Sequence, residues 1–145
     1  MKAIIKEFDE LTTSELYKIL KLRAEIFVVE QNCPYQDLDD KDYFSLHIFS
    51  EQDKKVVAYA RIFPKNDDPD TVQMGRVVTL KHGSGLGARL MEEGIKAIKE
   101  RTDAKKIYLE GQTYCIGFYE KFGFKVISDE FILDGIPHVK MQLEL

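Results

Sequence analysis

The sequence lacks the features that mark several large protein classes. Only two cysteines occur in 145 residues, and Cys33 and Cys115 can form neither a disulfide framework nor a CxxC zinc site. There are 21 lysines and arginines against 25 acidic residues, and the formal net charge of −4 favours no nucleic-acid partner. No apolar run approaches the roughly 18 residues of a membrane helix, and residues 1–10 lack the apolar core of a signal peptide. We therefore expect a cytoplasmic protein with reduced thiols and with no membrane or nucleic-acid partner.

What remains is the composition of an ordinary globular chain. Hydrophobic residues make up 44% and charged residues 32% of the sequence, which is typical of a packed domain. The length suits one core, since domains commonly have roughly 100–150 residues. No repeat or long linker divides the chain. The sequence therefore predicts a single domain over residues 1–145.

Hydrophobic periodicity predicts a mixed α/β protein. Thr12 and Glu15 form a capping-box pattern at a helix start, and Pro34 lies beyond the end because proline cannot continue the helical ladder. The strands before and after the second helix should be parallel, since a crossover helix joins them. About seven strands are predicted, over residues 3–8, 44–50, 56–63, 73–80, 105–110, 125–133 and 138–143, with helices over residues 12–29, 86–98 and 116–122.

Residues 36–42 form an acidic segment with four aspartates, Asp37, Asp39, Asp40 and Asp42. The first two are spaced as in a calcium-binding loop, but the glycine and the final glutamate of that loop are missing from their positions. No metal is therefore expected. The sequence favours a solvated turn or a patch that attracts a cationic substrate.

The stretch over residues 73–98 combines a β-rich run, a glycine-dense turn and an amphipathic helix. Gly83, Gly85 and Gly87 allow the backbone to approach a bulky group. The helix start presents N–H groups without helical acceptors, together with the positive end of the helix dipole. Such a turn suits a phosphate or pyrophosphate, unless the glycines serve packing alone.

Three classes of phosphate ligand bind glycine-rich turns of this kind. A mononucleotide P-loop requires a lysine and a hydroxyl residue that this turn lacks. The dinucleotide pattern G-x-G-x-x-G/A is met by Gly83, Gly85 and Ala88, with Glu110 as a later acid. A doubly wound dinucleotide domain needs several βαβ units, however, and only one is predicted. Coenzyme A is the third class.

Two motifs and their setting resemble the GNAT superfamily of N-acetyltransferases. Residues 82–87, His-Gly-Ser-Gly-Leu-Gly, are similar to the family's pyrophosphate motif, with His82 where arginine or glutamine is usual. Residues 118–124, Phe-Tyr-Glu-Lys-Phe-Gly-Phe, are similar to its F-Y-x-x-x-G-F motif. Residues 22–35 and 134–138 resemble the ElaA-like subfamily. The resemblance implies a GNAT-like α/β fold: a mixed, mostly antiparallel sheet of about seven strands with one parallel βαβ crossover, helices on both faces, and a V-shaped opening between the fourth and fifth strands.

The resemblance also implies acetyl-CoA as cosubstrate and no metal, and it assigns residues to acetyl-CoA binding. Backbone N–H groups of Val77, Val78 and Thr79 would bind the acetyl and pantetheine amides, while the glycine turn would hold the pyrophosphate. The residues placed around the cosubstrate are Val77, Val78, Thr79, His82, Gly83, Ser84, Gly85, Leu86, Gly87, Ala88, Gln112 and Tyr119.

The implied reaction is direct attack of a primary amine on the thioester, and this chemistry requires an acid and a base. Tyr119, at the family's tyrosine position, would protonate the departing thiolate; otherwise it only packs among the neighbouring phenylalanines. The protonated amine needs a base, for which Glu110 is the first candidate and Glu30, His47 and His138 are rivals that can equally be structural. The predicted substrate-binding residues are Glu30, Tyr35, His47, Arg76 and His138.

Several further expectations complete this interpretation. Arg76 would orient Glu110 or the substrate, unless it forms a cross-strand ion pair. The two cysteines are expected to be small buried hydrophobes, because direct transfer needs no thiol nucleophile. The acceptor is expected to be a small-molecule or peptide amine, and an exposed edge strand near the C-terminus could pair two copies into a homodimer. Two other functions stay open: a non-catalytic CoA- or acyl-CoA-binding module, and a nicotinamide dinucleotide-binding protein.

Overall fold

A computed structural model describes residues 2–81 and 83–145, so Met1 and His82 lie outside the described residues. The strands are β1 (Ile4–Glu7), β2 (Leu46–Gln52), β3 (Lys55–Pro64), β4 (Thr71–Thr79), β5 (Lys106–Gln112), β6 (Lys125–Val126), β7 (Phe131–Leu133) and β8 (Ile136–Glu144). The α-helices are α1 (Thr13–Arg23), α2 (Leu86–Arg101) and α3 (Ile116–Glu120). A π-helix spans Ala24–Glu30, and 3₁₀-helices span Phe8–Glu10, Lys41–Phe44 and Thr113–Cys115.

The eight described strands form one sheet in the order β1-β2-β3-β4-β5-β8-β6, and β7 also pairs with β8. Within the described residues β4 and β5 are the one parallel pair, and every other pairing is antiparallel. Helix α2 connects the parallel pair, as a crossover must. The predicted mixed, mostly antiparallel α/β fold is confirmed. A single parallel pair is too few for the doubly wound sheet of a dinucleotide-binding domain.

One predicted strand is wrong in detail. Residues 125–133 form two short strands, β6 and β7, so the sheet has eight strands instead of about seven. The Ile127 N–H still donates to the carbonyl of Lys140 at 2.9 Å. The N–H of Lys140, however, donates to the Ser128 hydroxyl at 2.8 Å. A side-chain oxygen thus takes the place of a backbone carbonyl, and the ladder is interrupted there.

The capping box predicted for the first helix is present. Thr12 Oγ1 accepts a hydrogen bond from the N–H of Glu15, and the Glu15 carboxylate accepts one from the N–H of Thr12. Helix α1 buries Ile19 and Leu22 and passes directly into the π-helix. The helix predicted over residues 12–29 therefore changes its hydrogen-bonding pattern after Arg23, and π-helical turns are frequent at functional sites.

The core has two layers, one on each face of the sheet. On one face α2 and α3 cover a cluster that includes Met91 and Ile107, both 0% exposed. On the other face α1 packs Ile19 against a cluster that includes Phe49. Helices therefore cover both faces of the sheet, as the resemblance implies.

The two parallel strands separate halfway along their length. Residues 71–74 of β4 pair with residues 106–109 of β5. Beyond this register, residues 75–79 and 110–112 leave each other and pair only with their outer neighbours, β3 and β8. The opening that results is the one implied between the fourth and fifth strands.

A β-bulge in β4 accompanies this separation. The three residues 59–61 of β3 lie opposite the four residues 75–78 of β4, so β4 has one extra residue there. Arg76 lies inside the bulge with a left-handed φ of 52°. Because a bulge adds a residue to one strand, it bends that strand and re-aims its peptide groups.

Candidate active site

A cleft of about 880 Å³ occupies the opening between β4 and β5. Its walls are the diverging strand ends, the glycine turn before α2, helix α3, the π-helix with the segment after it, and the β7–β8 hairpin. The predicted site residues that line it are Glu30, Tyr35, Arg76, Val77, Val78, Thr79, Gly83, Ser84, Gly85, Gly87, Ala88, Glu110, Gln112, Tyr119 and His138. The structure therefore gathers most of the predicted residues around one cavity, while His82 lies outside the described part of the chain.

The glycine turn leaves its backbone open to the cleft. Gly83 and Gly85 have φ values of 72° and 80°, a left-handed conformation that side chains with a Cβ rarely adopt. Apart from the adjacent residues, no described atom lies within 4 Å of the position that a Cβ on either glycine would take. Gly85 is the N-cap of α2, so the first N–H groups of the helix have no helical acceptor. The Leu86 side chain packs against the core, and its N–H donates to Ser84 Oγ at 3.5 Å.

Tyr119 is held in the cleft wall by close packing. It is 8% exposed, and its ring contacts those of Phe118 and Phe124 at centroid distances of 5.2 and 5.9 Å. On the β5 side the ring lies against Gly111, where a Cβ atom would come within 3.1 Å of Tyr119 Cε2. Burial raises the pKa of Tyr119 above its ordinary value, so the phenol keeps its proton at neutral pH. Tyr119 thus packs among phenylalanines and at the same time lines the cleft.

Glu110 lies on the same face of β5 as Tyr108 and Gln112, because side chains alternate along a strand. Tyr108 Oη donates a hydrogen bond to Glu110 Oε2 at 2.8 Å. Burial, with the hydrogen bond to Glu110 in addition, raises the pKa of Tyr108. One carboxylate oxygen is therefore bound by the Tyr108 phenol, while Glu110 itself lines the cleft.

Strand β8 brings His138 beside this strand end, directly opposite Gln112. His138 Nδ1 donates to the carbonyl of Ile136 at 2.7 Å. The Gln112 and Gln31 side chains hydrogen-bond each other at 3.3 and 3.4 Å. These contacts join β5 and β8 to the segment after the π-helix and close one side of the cleft.

The structure contradicts a substrate-binding role for His47. This side chain is 0% exposed and is absent from the cleft lining among the described residues. Its Nε2 donates to the carbonyl of Asp42 at 2.9 Å, and its Nδ1 accepts from Tyr59 Oη at 2.6 Å. Burial lowers the pKa of His47, which favours a neutral structural imidazole. Position 47 faces the buried layer beneath α1, and strand periodicity alone does not indicate which face of the sheet holds the site.

The aspartates of the acidic segment, apart from Asp40, form neither a solvated turn nor a patch for a cationic substrate. Three of its four aspartates bind three arginines in a closed cycle, the arginine–aspartate ring, in which every member contacts two neighbours. In order around the ring the members are Arg23, Asp37, Arg76, Asp39, Arg61 and Asp42, with N–O distances between 2.5 and 3.4 Å. Only Asp40 of the four is exposed. Burial alone would raise the pKa of Asp39, but hydrogen bonds from Arg61 and the charges of Arg61 and Arg76 hold it at about 2.

Arg76 is bound to the acidic segment. Its Nε donates to Asp37 Oδ1 at 2.8 Å, and its Nη2 donates to the Asp37 carbonyl at 3.0 Å. Its guanidinium lies 5.7 Å from the ring centroid of Tyr35, whose pKa burial raises to about 12. The ion-pair alternative therefore describes Arg76, although its partners lie in the segment before β2 and not across the sheet.

The chain is similar to known proteins along almost its whole length. The sequence profile of the acetyltransferase (GNAT) domain matches residues 15–145. The chain belongs to the GNAT acetyltransferase family. Protein ElaA of Escherichia coli (strain K12) is 39% identical over 141 residues, which are 94% of this chain and 92% of ElaA. The resemblance to the ElaA-like subfamily is thus confirmed.

Solved structures agree with this assignment. The crystal structure of Escherichia coli ElaA matches this GNAT protein with a TM-score of 0.91 and 37% identity over 99% of both chains. An acyl-CoA N-acyltransferase from Pseudomonas aeruginosa gives a TM-score of 0.91 and 34% identity, again over 99% of both chains. An aminoglycoside 6′-N-acetyltransferase complexed with coenzyme A gives 0.74 at 17% identity, covering 97% of this chain and 96% of its own, which is a similarity of fold alone.

The prediction that both cysteines of this GNAT protein are small buried hydrophobes is confirmed only in part, because Cys115 packs against the hydrophobic core whereas Cys33 is not among the described core residues. Cys33 and Cys115 are half-buried and line the cleft. The Cys33 thiol donates a hydrogen bond to the carbonyl of Asp134 at 3.3 Å. Burial raises the pKa of the Cys115 thiol, which disfavours the nucleophilic thiolate. Their positions follow from loops packed across the sheet, which no local pattern reveals.

Gln31, Gly111 and Tyr114 also line the cleft of this GNAT protein, and the sequence did not single them out. Gly111 carries the one signal that could have been found: a glycine inside a strand indicates close approach of another group. No group of three or more His, Cys, Asp and Glu side chains in residues 2–81 and 83–145 is arranged to hold a metal. In the same part of the chain no helix has the length and apolarity needed to cross a bilayer.

Proposed function

We propose that this GNAT protein transfers an acetyl group from acetyl-CoA to a primary amine by direct attack. The observation that carries the proposal is that one cleft is lined by the open glycine turn, the diverging end of β4, Tyr119 and Glu110. An anion site, a row of strand N–H groups, a buried acid and a carboxylate are the parts that acyl transfer to an amine requires.

The cosubstrate would lie along β4 with its pyrophosphate at the start of α2. Backbone groups of residues 83–88 supply the donors, with Ser84 and the side chain of His82 as further candidates. N–H groups of Val77, Val78 and Thr79 would bind the pantetheine and polarise the thioester carbonyl, and Gln112 would border the arm from β5. The aminoglycoside acetyltransferase of the same fold that is complexed with coenzyme A supports this class of ligand.

The neutral amine nitrogen would attack the thioester carbon. In the tetrahedral intermediate the oxygen is negative and is stabilised by β4 N–H groups. The C–S bond then breaks, and the thiolate takes the proton of Tyr119. The surplus proton on the new amide nitrogen would pass to the tyrosinate, directly or through a water, which restores the phenol. A thiolate in water has a conjugate-acid pKa of about 8.5, and exclusion of water raises the pKa of the thiol and of the Tyr119 phenol alike, so breakdown of the negative intermediate would drive the proton transfer.

The incoming amine would lose its proton to the carboxylate of Glu110, directly or through a water. A lysine-like amine has a pKa of about 10.4 and is protonated at neutral pH, so this step is required before attack. Glu30 and His138 line the same cleft and are alternative bases. Tyr35 and Arg76 would shape the wall that the acceptor contacts.

Release of the CoA thiol against a panel of primary amines tests the proposal. We expect amine-dependent release by the wild type and a rate lowered by roughly 10²–10⁴-fold in Tyr119→Phe, with unchanged CoA affinity by calorimetry. Tyr17→Phe is the control, since Tyr17 is 73% exposed on α1 outside this cleft. CoA binding without turnover of any amine would favour the non-catalytic module instead.

The remaining expectations are also proposals. The acceptor is a small-molecule or peptide amine, the protein is cytoplasmic and has one domain, and a homodimer would form through the sheet edge at β6 and β7. Sedimentation of the purified protein tests the dimer directly.

A further inference from the structure

We propose that Arg76 is a positioning residue for the transfer, held by Asp37 and Asp39 so that the β4 bulge and the segment 33–37 keep one relative position. The inference rests on the proposed acetyl transfer, because both features line the cleft in which that reaction would occur.

The net contribution of the arginine–aspartate ring to folding stability is expected to be small. Arg23 and Arg61 are 0% and 2% exposed, and burying an ion costs several kcal/mol before its partners compensate. Buried ion pairs can often be replaced by hydrophobic residues without loss of stability. The planar guanidinium, however, binds a carboxylate only where the carboxylate oxygens lie in line with its N–H groups. A closed ring of such contacts therefore specifies geometry even where it adds little net stability.

Arg76 is the ring member inside the strand distortion that opens the cleft. Its backbone has the left-handed φ of the bulge, and residues 77–79 follow at once with the N–H groups proposed to bind the cosubstrate. Its side chain is bound to Asp37 through both the carboxylate and the backbone carbonyl. Two bonds to one residue fix the direction of the arginine as well as its distance.

The same residue fixes the opposite wall. Tyr35 stacks under the Arg76 guanidinium, and its Oη donates to Asp37 Oδ1 at 3.2 Å. Tyr35 and Cys33 line the cleft, so the segment that carries them is fastened to the bulge through Arg76.

Asp39 provides a remote way to test this connection. It is not among the described residues that line the cleft. Its carboxylate contacts Arg76 at 3.4 Å and also binds Arg61. A change at Asp39 can therefore influence the reaction through Arg76.

The first test compares Arg76→Met with Lys6→Met, which removes the same charge and also breaks an ion pair, Lys6–Glu15 at 3.0 Å. Lys6 lies on β1, away from the cleft. We expect Arg76→Met to lower kcat by about tenfold to a hundredfold, as a small misplacement of reacting groups does, while the CoA Kd changes less than about threefold. A kcat equal to that of Lys6→Met overturns the inference.

The second test is a double-mutant cycle. Asp39→Asn should lower kcat in the wild type but cause no further loss in the Arg76→Met background, because Arg76 transmits its effect. If the fold-losses in kcat of Asp39→Asn and Arg76→Met multiply in the double variant, the inference is overturned.

A third measurement separates this inference from the proposed function. A wild type that acetylates no amine contradicts the function, and hydrogen–deuterium exchange then decides the inference. Residues 33–37 and 75–79 should exchange faster in Arg76→Met than in Lys6→Met, and equal exchange overturns it.

Discussion

Replacement of Gly111 by alanine would test how closely Tyr119 is held against β5. The new Cβ would lie 3.1 Å from Tyr119 Cε2 and 3.2 Å from Leu109 Cδ1, whereas ordinary van der Waals contact begins at 3.4 Å. The phenol ring must therefore retreat by at least about 0.3 Å, with Phe118 and Phe124 packed against it. Overpacking of this kind costs about 1–3 kcal/mol of folding stability. A displaced acid should also lower kcat by about tenfold or more.

The matched control is Gly94→Ala on α2. A Cβ at Gly94 would meet Ile48 Cδ1 at 3.2 Å, an equally close contact that lies in the core and away from the cleft lining. Thermal melting of both variants measures the stability loss, and thiol release with saturating acetyl-CoA and amine measures kcat. We expect similar melting temperatures but a low kcat only in Gly111→Ala. A Gly111→Ala variant with wild-type kcat would refute the argument that the position of Tyr119 matters.

Two further predictions concern the glycine turn and the arginine–aspartate ring. Gly85→Ala forces alanine to a φ of 80°, which costs about 1–2 kcal/mol, so calorimetry should show weaker CoA binding. The control is Gly117→Ala, because a Cβ at Gly117 meets nothing within 4 Å and Gly117 has no positive φ; this variant should bind CoA as the wild type does. Equal CoA affinity of the two variants would contradict the assignment of the turn. The pKa of Asp39 is lowered from 3.8 to about 2, so its contribution to stability is present above about pH 4 and lost as the pH falls through about 2, up to about 2 kcal/mol. Urea unfolding between pH 7 and pH 2 should show this loss in the wild type and not in Asp39→Asn, whereas parallel pH profiles would contradict it.

The parts of the fold and site that the sequence predicted well depend on local patterns. The Thr12–Glu15 capping box, the strand, turn and helix around Gly85, and the helix carrying Tyr119 each involve residues close in sequence. Their geometry is therefore set mainly by backbone propensities and short-range hydrogen bonds. The parallel pairing of β4 and β5 could also be predicted from a continuous stretch of sequence, since one crossover helix connects the two strands.

The parts that the sequence did not predict depend on contacts between distant segments. The arginine–aspartate ring joins α1, the acidic segment, β3 and β4, and no spacing rule states which aspartate meets which arginine. Without these partners the acidic segment resembles a solvated turn. His47 illustrates the same difficulty, because its burial against Tyr59 and Asp42 depends on how the segment before β2 packs on the sheet.

The central claim is that acetyl-CoA lies in the cleft between β4 and β5 with its thioester beside Tyr119. A crystal structure of the protein in complex with CoA measures this most directly. We predict the pyrophosphate against the backbone N–H groups of residues 83–88 and the sulfur within hydrogen-bonding distance of Tyr119 Oη. A CoA bound outside this cleft, or one whose sulfur faces away from Tyr119, would contradict the account.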